Sequence, residues 1–305
     1  MTGEHPVTVT VQPPTLRDAV PQLAAASTID TPHDPVDVSA GADLIWVAAR
    51  RSERVVALAP DGQRALGFGV DLVYPRSLAE GFGYVWAATW DGLVRIDPAT
   101  GERDGVVPLG KTTDVAVDRD HVWVITGPEE ARVVAQVDPD SLRVTGEGFV
   151  GDNARALATG EGSVWVTNTS DGTLSEIDAD TGRTVGRPLE LGGRPTNVAV
   201  GGGSVWVADN FEGRLIRIDP RGAGGSPTVG RTTETGPHPR GITVGFGSIW
   251  VSIGDEDLVA RYDHSGGLTA TYEVGSDPAS LDIGNGSIWT ADQASDTISR
   301  IDPDQ

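Results

Sequence analysis

Seven positions about 40 residues apart frame the chemistry open to this chain: Pro35, Pro75, Thr112, Ala154, Pro195, Pro239 and Pro278. The residue before each is, in order, Asp34, Tyr74, Lys111, Asn153, Arg194, His238 and Asp277. The residue after is Val36, Arg76, Thr113, Arg155, Thr196, Arg240 and Ala279. Lys and Arg take 5 of these 14 places but only 23 of 305 overall, so the concentration is not a background effect. Cationic side chains gathered in this way would bind a carboxylate or phosphate through charge-assisted hydrogen bonds. Arg76, Lys111, Arg155 and Arg194 follow one another, with Asn153 among them and Arg240 next in the slot after. His238, Asp277, Asp34 and His33 fall together if the two ends of the series meet. Imidazole titrates near neutrality, which makes His238 and His33 candidate general bases. Asp34 and Asp277, with Asp37 and Asp292 close in sequence, would orient such a base or hold a divalent cation. Tyr74 and Trp90 are candidates for stacking on a ligand.

These residues form one site only if the fold brings them to one place. The chain repeats a short motif, as in GSVWVTN (162–168), GSVWVAD (203–209) and GSIWVSI (247–253), around Trp46, Trp86, Trp123, Trp165, Trp206, Trp250 and Trp289. The tryptophans are spaced 40, 37, 42, 41, 44 and 39 residues apart, a period that marks a repeat architecture. Each unit holds four short Val- and Ile-rich stretches bounded by Gly, Asp and Pro, which are strand signals. Four strands in about 40 residues make one blade, so the expected fold is all-β: a seven-bladed β-propeller of four-stranded antiparallel blades. A solenoid is disfavoured because its coils use shorter periods. The tryptophan on the second strand of each unit is expected to plug the core between neighbouring blades, burying on the order of 150–250 Å².

The last unit ends at SRIDPDQ (299–305), after its third strand. An N-terminal strand must complete it; AAASTI (24–29) fits by spacing, leaving VTVTV (7–11) as an added strand or arm. The expected division is an N-terminal arm over 1–22 and the propeller over 23–305. In this fold the connections into strand one and out of strand two open on one face near the central channel, so the flanking residues would ring its mouth.

Composition excludes several classes. The net charge of −21 argues against nucleic acid and anionic membrane as partners, since both need a basic footprint. The absence of cysteine removes disulfide and thiolate chemistry. Lys111 is the one lysine, which reads as the codon usage of a GC-rich bacterial genome. GVVPLGKT (105–112) matches the phosphate-loop pattern, but a strand follows it where that loop needs a helix. The Asp of the R-I-D turns (Asp97, Asp138, Asp178, Asp219, Asp263 and Asp302) is expected to cap the amides that follow. Neither signal peptide nor membrane span is visible, giving a cytoplasmic expectation, or an extracytoplasmic one if the chain is trimmed. A monomer is expected.

The repeated G-S-[VI]-W-V-[AT]-[DN], followed by [LV]-x-R-[IY]-D-[PA]-x-T-G, resembles bacterial YVTN/NHL-type propellers. It is similar in particular to the virginiamycin B lyase (streptogramin lyase) group, over residues 32–305. GPHPRGI (236–242) looks like that group's Pro-His-Gly-Ile segment, with His238 ahead of the second proline and Arg240 in the matching slot. The glutamates that the group brings in a W-F-T-E ending are replaced here by W-V-S-I, W-T-A-D and W-V-A-D. Two functions follow. The first is a propeller that binds a small molecule or peptide carrying an anionic group at the channel mouth and needs no cofactor. The alternative, implied by the resemblance, is a lyase that opens a cyclic peptide or other natural product, assisted by a divalent cation such as Mg.

Overall fold

A computed structural model of the chain describes residues 16–25, 27–41, 43–61, 69–222 and 224–304. Seven sheets carry almost all of the regular structure. In the fifth, Pro195–Gly201, Ser204–Asp209, Arg214–Asp219 and Thr228–Glu234 pair in sequence order, each antiparallel to the next. The innermost strands begin at Pro35, Ser77, Thr112, Ala154, Pro195, Pro239 and Pro278. Each packs against the next, and the strand Pro278–Gly284 packs against Pro35–Ala40, so the blades close into a ring. Among the described residues helix is limited to three-residue 3-10 turns, and none is long and apolar enough to cross a membrane.

The tryptophans hold the ring together. All seven are at most 1% exposed. Trp165 of the fourth blade packs on Val198, Val205, Val207, Ile216 and Ile218 of the fifth. The same relation recurs at every seam, and at the last Trp289 packs on Val38, Ile45, Val47 and Leu58 of the first blade. A buried indole N–H needs an acceptor. Those of Trp86, Trp165, Trp250 and Trp289 donate to the carbonyl of the glycine five residues earlier, at 3.1–3.2 Å. Trp123 donates instead to Asp118 Oδ2 at 2.7 Å. A second device repeats outside the seam. Arg217, Arg261 and Arg300 donate to Ser204, Ser248 and Ser287 while lying over the tryptophan of their own blade, at 5.0–5.9 Å from the ring centre.

The N-terminal segment closes the ring as the spacing required. Ser27–Asp30 pairs antiparallel with Thr297–Ile301 and supplies the missing outer strand of the last blade. Just before it, Gln22–Ala24 adds parallel to the outer strand of the sixth blade, making that sheet five-stranded. One short stretch thus bridges two blades and covers two sheet edges. VTVTV (7–11) lies outside the described residues.

Two expectations about turns are met. GVVPLGKT runs from the strand Arg103–Val107 into the strand Thr112–Val117, with no helix to receive a phosphate. All six R-I-D aspartates accept a backbone N–H two or three residues on, at 2.7–3.0 Å. Those hydrogen bonds, with the Ser or Thr hydroxyls beside them, hold Asp138, Asp178 and Asp263 below the usual carboxylate range.

Candidate functional site at the channel mouth

Strand one enters the channel wall through a distortion in every blade but the second, where Arg76 and Ser77 border the cavity beside a regular register. In six blades the pairing of strand one with strand two slips just after its first residue, for example between Pro35 and Asp37 and between Thr112 and Val115. Such a bulge re-aims neighbouring side chains and breaks strict alternation. Two consecutive residues per blade can then face the channel. They line a cavity of about 380 Å³ at its mouth.

All seven residues after the proline slot border this cavity: Val36, Arg76, Thr113, Arg155, Thr196, Arg240 and Ala279. Of the seven before it, Asn153 and Arg194 do so. Most of the slot before shares one backbone conformation. Asp34, Tyr74, Asn153, His238 and Asp277 all have φ between 52° and 65°. That left-handed region is one that Asp, Asn and His enter more readily than other residues with a side chain. The slot before is first of all a turn position.

The side chains there are mostly engaged outside the cavity. His238 Nδ1 meets Asp255 Oδ2 at 2.6 Å, and His33 Nδ1 meets Asp296 at 2.8 Å. Neither ring lines the cavity. Tyr74 stacks on Trp90 with ring centres 4.5 Å apart, an aromatic pair at the rim, and Trp90 is 47% exposed. Lys111 pairs with Glu129 at 3.3 Å and turns away from the cavity. Asp34, buried, accepts from Arg50 Nε at 2.9 Å and from Gln293 Nε2 at 2.6 Å. Asp277 accepts from Arg240 at 2.6 Å. Asp292 is buried behind the wall, bonded to Ser299 at 2.6 Å, and burial pushes its carboxyl up to about 7.

This donor set does not fit a divalent cation. Asp34 and Asp277 are each satisfied by an arginine, and among the described residues no group of three or more His, Cys, Asp or Glu gathers where a metal could be held.

What the cavity does hold is unpaired positive charge. Arg50 and Arg240 are neutralised by Asp34 and Asp277, but among the described residues Arg76, Arg155 and Arg194 form no ion pair. Burial lowers the affinity of Arg76 and Arg155 for their protons, and neighbouring guanidinium charges add to the effect, Arg76 acting on Arg155 and Arg50 on Arg76. Asp114 offsets part of this from the collar below, but none of the three arginines has a carboxylate at ion-pair distance among the described residues.

Below the arginines lies a polar collar. Asp37, Ser77, Asp114, Asn197 and Ser280 border both the mouth cavity and the channel space beneath it. Four of them also serve the fold. Ser280 accepts the N–H of Val38, Asp37 that of Leu78, Ser77 that of Val115 and Asp114 that of Leu157, at 2.7–3.3 Å, each reaching from one blade to the next. The inner edge of every sheet has N–H groups without a strand partner, and these side chains satisfy them. Burial raises Asp37 to about 8, with Asp114 and Asp282 adding like charge, and burial raises Asp114 as well.

Sequence reasoning missed Arg50, Thr169, Asn210 and Gln293 on the cavity wall. A usable signal existed: each stands four residues after the repeat tryptophan, the position where Trp90 was noticed.

No protein-family model and no curated protein matches the sequence. Solved structures do resemble the fold. A Kuenenia stuttgartiensis hydrazine synthase chain superposes with a TM-score of 0.75 at 12% identity, over 91% of this chain and 97% of that one. A streptogramin B lyase gives 0.73 at 12% identity, over 90% and 96%. Catalytically inactive virginiamycin B lyase from Staphylococcus aureus, solved with quinupristin, gives 0.73 at 14% identity, over 90% and 97%. At such identities the likeness speaks for architecture: the chain is a seven-bladed β-propeller folded like the virginiamycin B lyases.

Proposed function

We propose that this propeller binds a small molecule or peptide through an anionic group held at the channel mouth. The observation that carries the reading is the set of unpaired guanidinium groups of Arg76, Arg155 and Arg194 around one cavity. Arg76 and Arg155 repel each other, and an anion between them relieves that repulsion while gaining charge-assisted hydrogen bonds. The Arg155 side chain takes part in none of the four collar hydrogen bonds, so it can be changed without removing a contact that joins blades.

Succinate and inorganic phosphate are suitable probes. Arg155→Gln is expected to weaken their binding about tenfold in calorimetric titrations, equivalent to about 1.4 kcal/mol, with the melting temperature of the free protein little changed. Equal affinity in the variant would rule Arg155 out as an anion ligand. The net charge of −21 supports a small anionic ligand over nucleic acid or an anionic membrane.

A second reading, lyase chemistry on a natural product, is favoured by one feature, the contact of His238 with Asp255. A carboxylate on Nδ1 fixes the tautomer and leaves Nε2 free to accept a proton. That reading predicts a product formed from a cyclic depsipeptide and lost in His238→Ala. A binding propeller gives no product with either protein.

A further inference from the structure

The mouth cavity has two levels of different chemistry: guanidinium groups above and, below them, a buried carboxyl that has no cation beside it and keeps its proton near neutral pH. The upper one carries Arg76, Arg155 and Arg194. At the lower one, Asp37 Oδ2 accepts the Leu78 N–H and Ser280 is its other hydrogen-bonding neighbour. Among the described residues no cation lies within ion-pair distance of Asp37. The charges acting on it are those of Asp114 and Asp282, both of its own sign, and they push its carboxyl in the same direction as burial does, up to about 8. An anion alone would satisfy the upper level and leave the lower one as it is.

Amides also border the cavity. Asn153, Asn197, Asn210 and Gln293 all border the cavity, with Thr169 and Thr196 between them. Gln293 is engaged at both ends by Asp34 and Arg240, and Asn210 donates to the Pro239 carbonyl, which leaves Asn153 and the N–H groups of Asn197 to meet a ligand peptide group. The volume of about 380 Å³ lies at the small end of the range for ligand pockets.

We propose that the ligand is a short peptide with free termini, its carboxylate held by Arg76, Arg155 and Arg194 and its protonated amine reaching down to Asp37. This inference rests on the anion-binding reading above and narrows it. The carboxylate meets the guanidinium groups, and the ammonium group favours the ionised form of Asp37, whose proton leaves to solvent as the ion pair forms, so that both ends of the ligand find a complementary charge. Acetylating the amine keeps the carboxylate and the peptide group but removes the charge meant for Asp37.

The test compares glycylglycine, N-acetylglycylglycine and succinate by calorimetric titration against the full chain. Glycylglycine is expected to bind about tenfold more tightly than its N-acetyl form. In Asp37→Asn, which keeps an acceptor for the Leu78 N–H, that ratio is expected to fall to about one. A ratio near one in the unaltered protein overturns the peptide inference, and if succinate still binds, the anion-binding reading survives it. If none of the three binds, both readings fall.

Discussion

Trp289→Ala is expected to cost about 3–5 kcal/mol of unfolding free energy, the same as Trp165→Ala, in chemical denaturation followed by far-ultraviolet circular dichroism. The two sites differ only in where they stand along the chain. Trp165 joins blades four and five, which are consecutive in sequence, whereas Trp289 joins the last blade to the first. Both rings are wholly buried against the strands of the next blade, so each substitution removes a comparable set of apolar contacts and leaves a similar cavity. In a ring there is no end blade, and the seam made by Trp289 bears the same load as any other. In an open stack Trp289 would sit on an exposed terminal face, and its removal would cost under about 1 kcal/mol. If the alanine variants unfold, the comparison is made with Trp165→Phe and Trp289→Phe, where a smaller but again equal loss is expected. A clear inequality between the two would contradict closure through the N-terminal strand.

Asp37→Asn is expected to stabilise the protein at neutral and mildly alkaline pH and to have no effect near pH 4. A carboxyl raised from 3.8 to about 8 binds its proton more tightly in the folded state than in the unfolded one. Between those values the folded state holds the extra proton, so stability falls as pH rises. The contribution is fully present below about pH 4 and is lost by about pH 8, the reverse of the usual ion-paired aspartate. Asparagine removes the titration yet still accepts the Leu78 N–H. A shift of four units sets an upper limit of roughly 5 kcal/mol. The carboxyl faces a channel that admits water, and screening there brings the expected gain at pH 8 to about 1–3 kcal/mol. Glu80, raised by burial to about 7, acts in the same direction in both proteins and cancels in the comparison, whereas Asp114 and Asp282 lose the like charge of Asp37 and add to the gain. Unfolding curves at pH 4, 6 and 8 decide the matter: a difference between the two proteins that does not grow with pH would show that Asp37 ionises without cost. If the cavity takes a protonated amine, that ligand should narrow the gap at pH 8.

The repeat was legible because its cause is local. Each blade needs a large ring on its second strand, a glycine or aspartate in its turns and a small residue behind the ring, and these demands recur in register along the chain. The closing strand was legible for a similar reason, since a unit that stops after three strands leaves an edge that must be covered. Its position was read a few residues early: AAASTI begins at 24, while the pairing strand is Ser27–Asp30 and residues 22–24 join the sixth blade instead. Parallel addition of a three-residue strand to a neighbouring sheet has no sequence pattern of its own.

The site was legible in part. Aligning the units singled out Arg76, Asn153, Arg155, Arg194 and Arg240, all of which border the cavity. The alignment could not say which of two adjacent slots faces inward, because that depends on a bulge and a left-handed turn in three dimensions. His33, His238, Lys111, Tyr74 and Trp90 sit in the mouth loops but are taken up by Asp296, Asp255, Glu129 and one another.

By itself the sequence determined the number of blades, the packing of the tryptophans and the concentration of basic residues ahead of the inner strands, because periodic spacing and turn chemistry act over a few residues. Only the tertiary structure decided which arginines stay unpaired and that Asp37 lies beneath them without a cation. Those outcomes depend on partners 16 to 37 residues away or more, as with Arg50 and Asp34 or Arg240 and Asp277, and on burial that exists only once seven blades surround one axis.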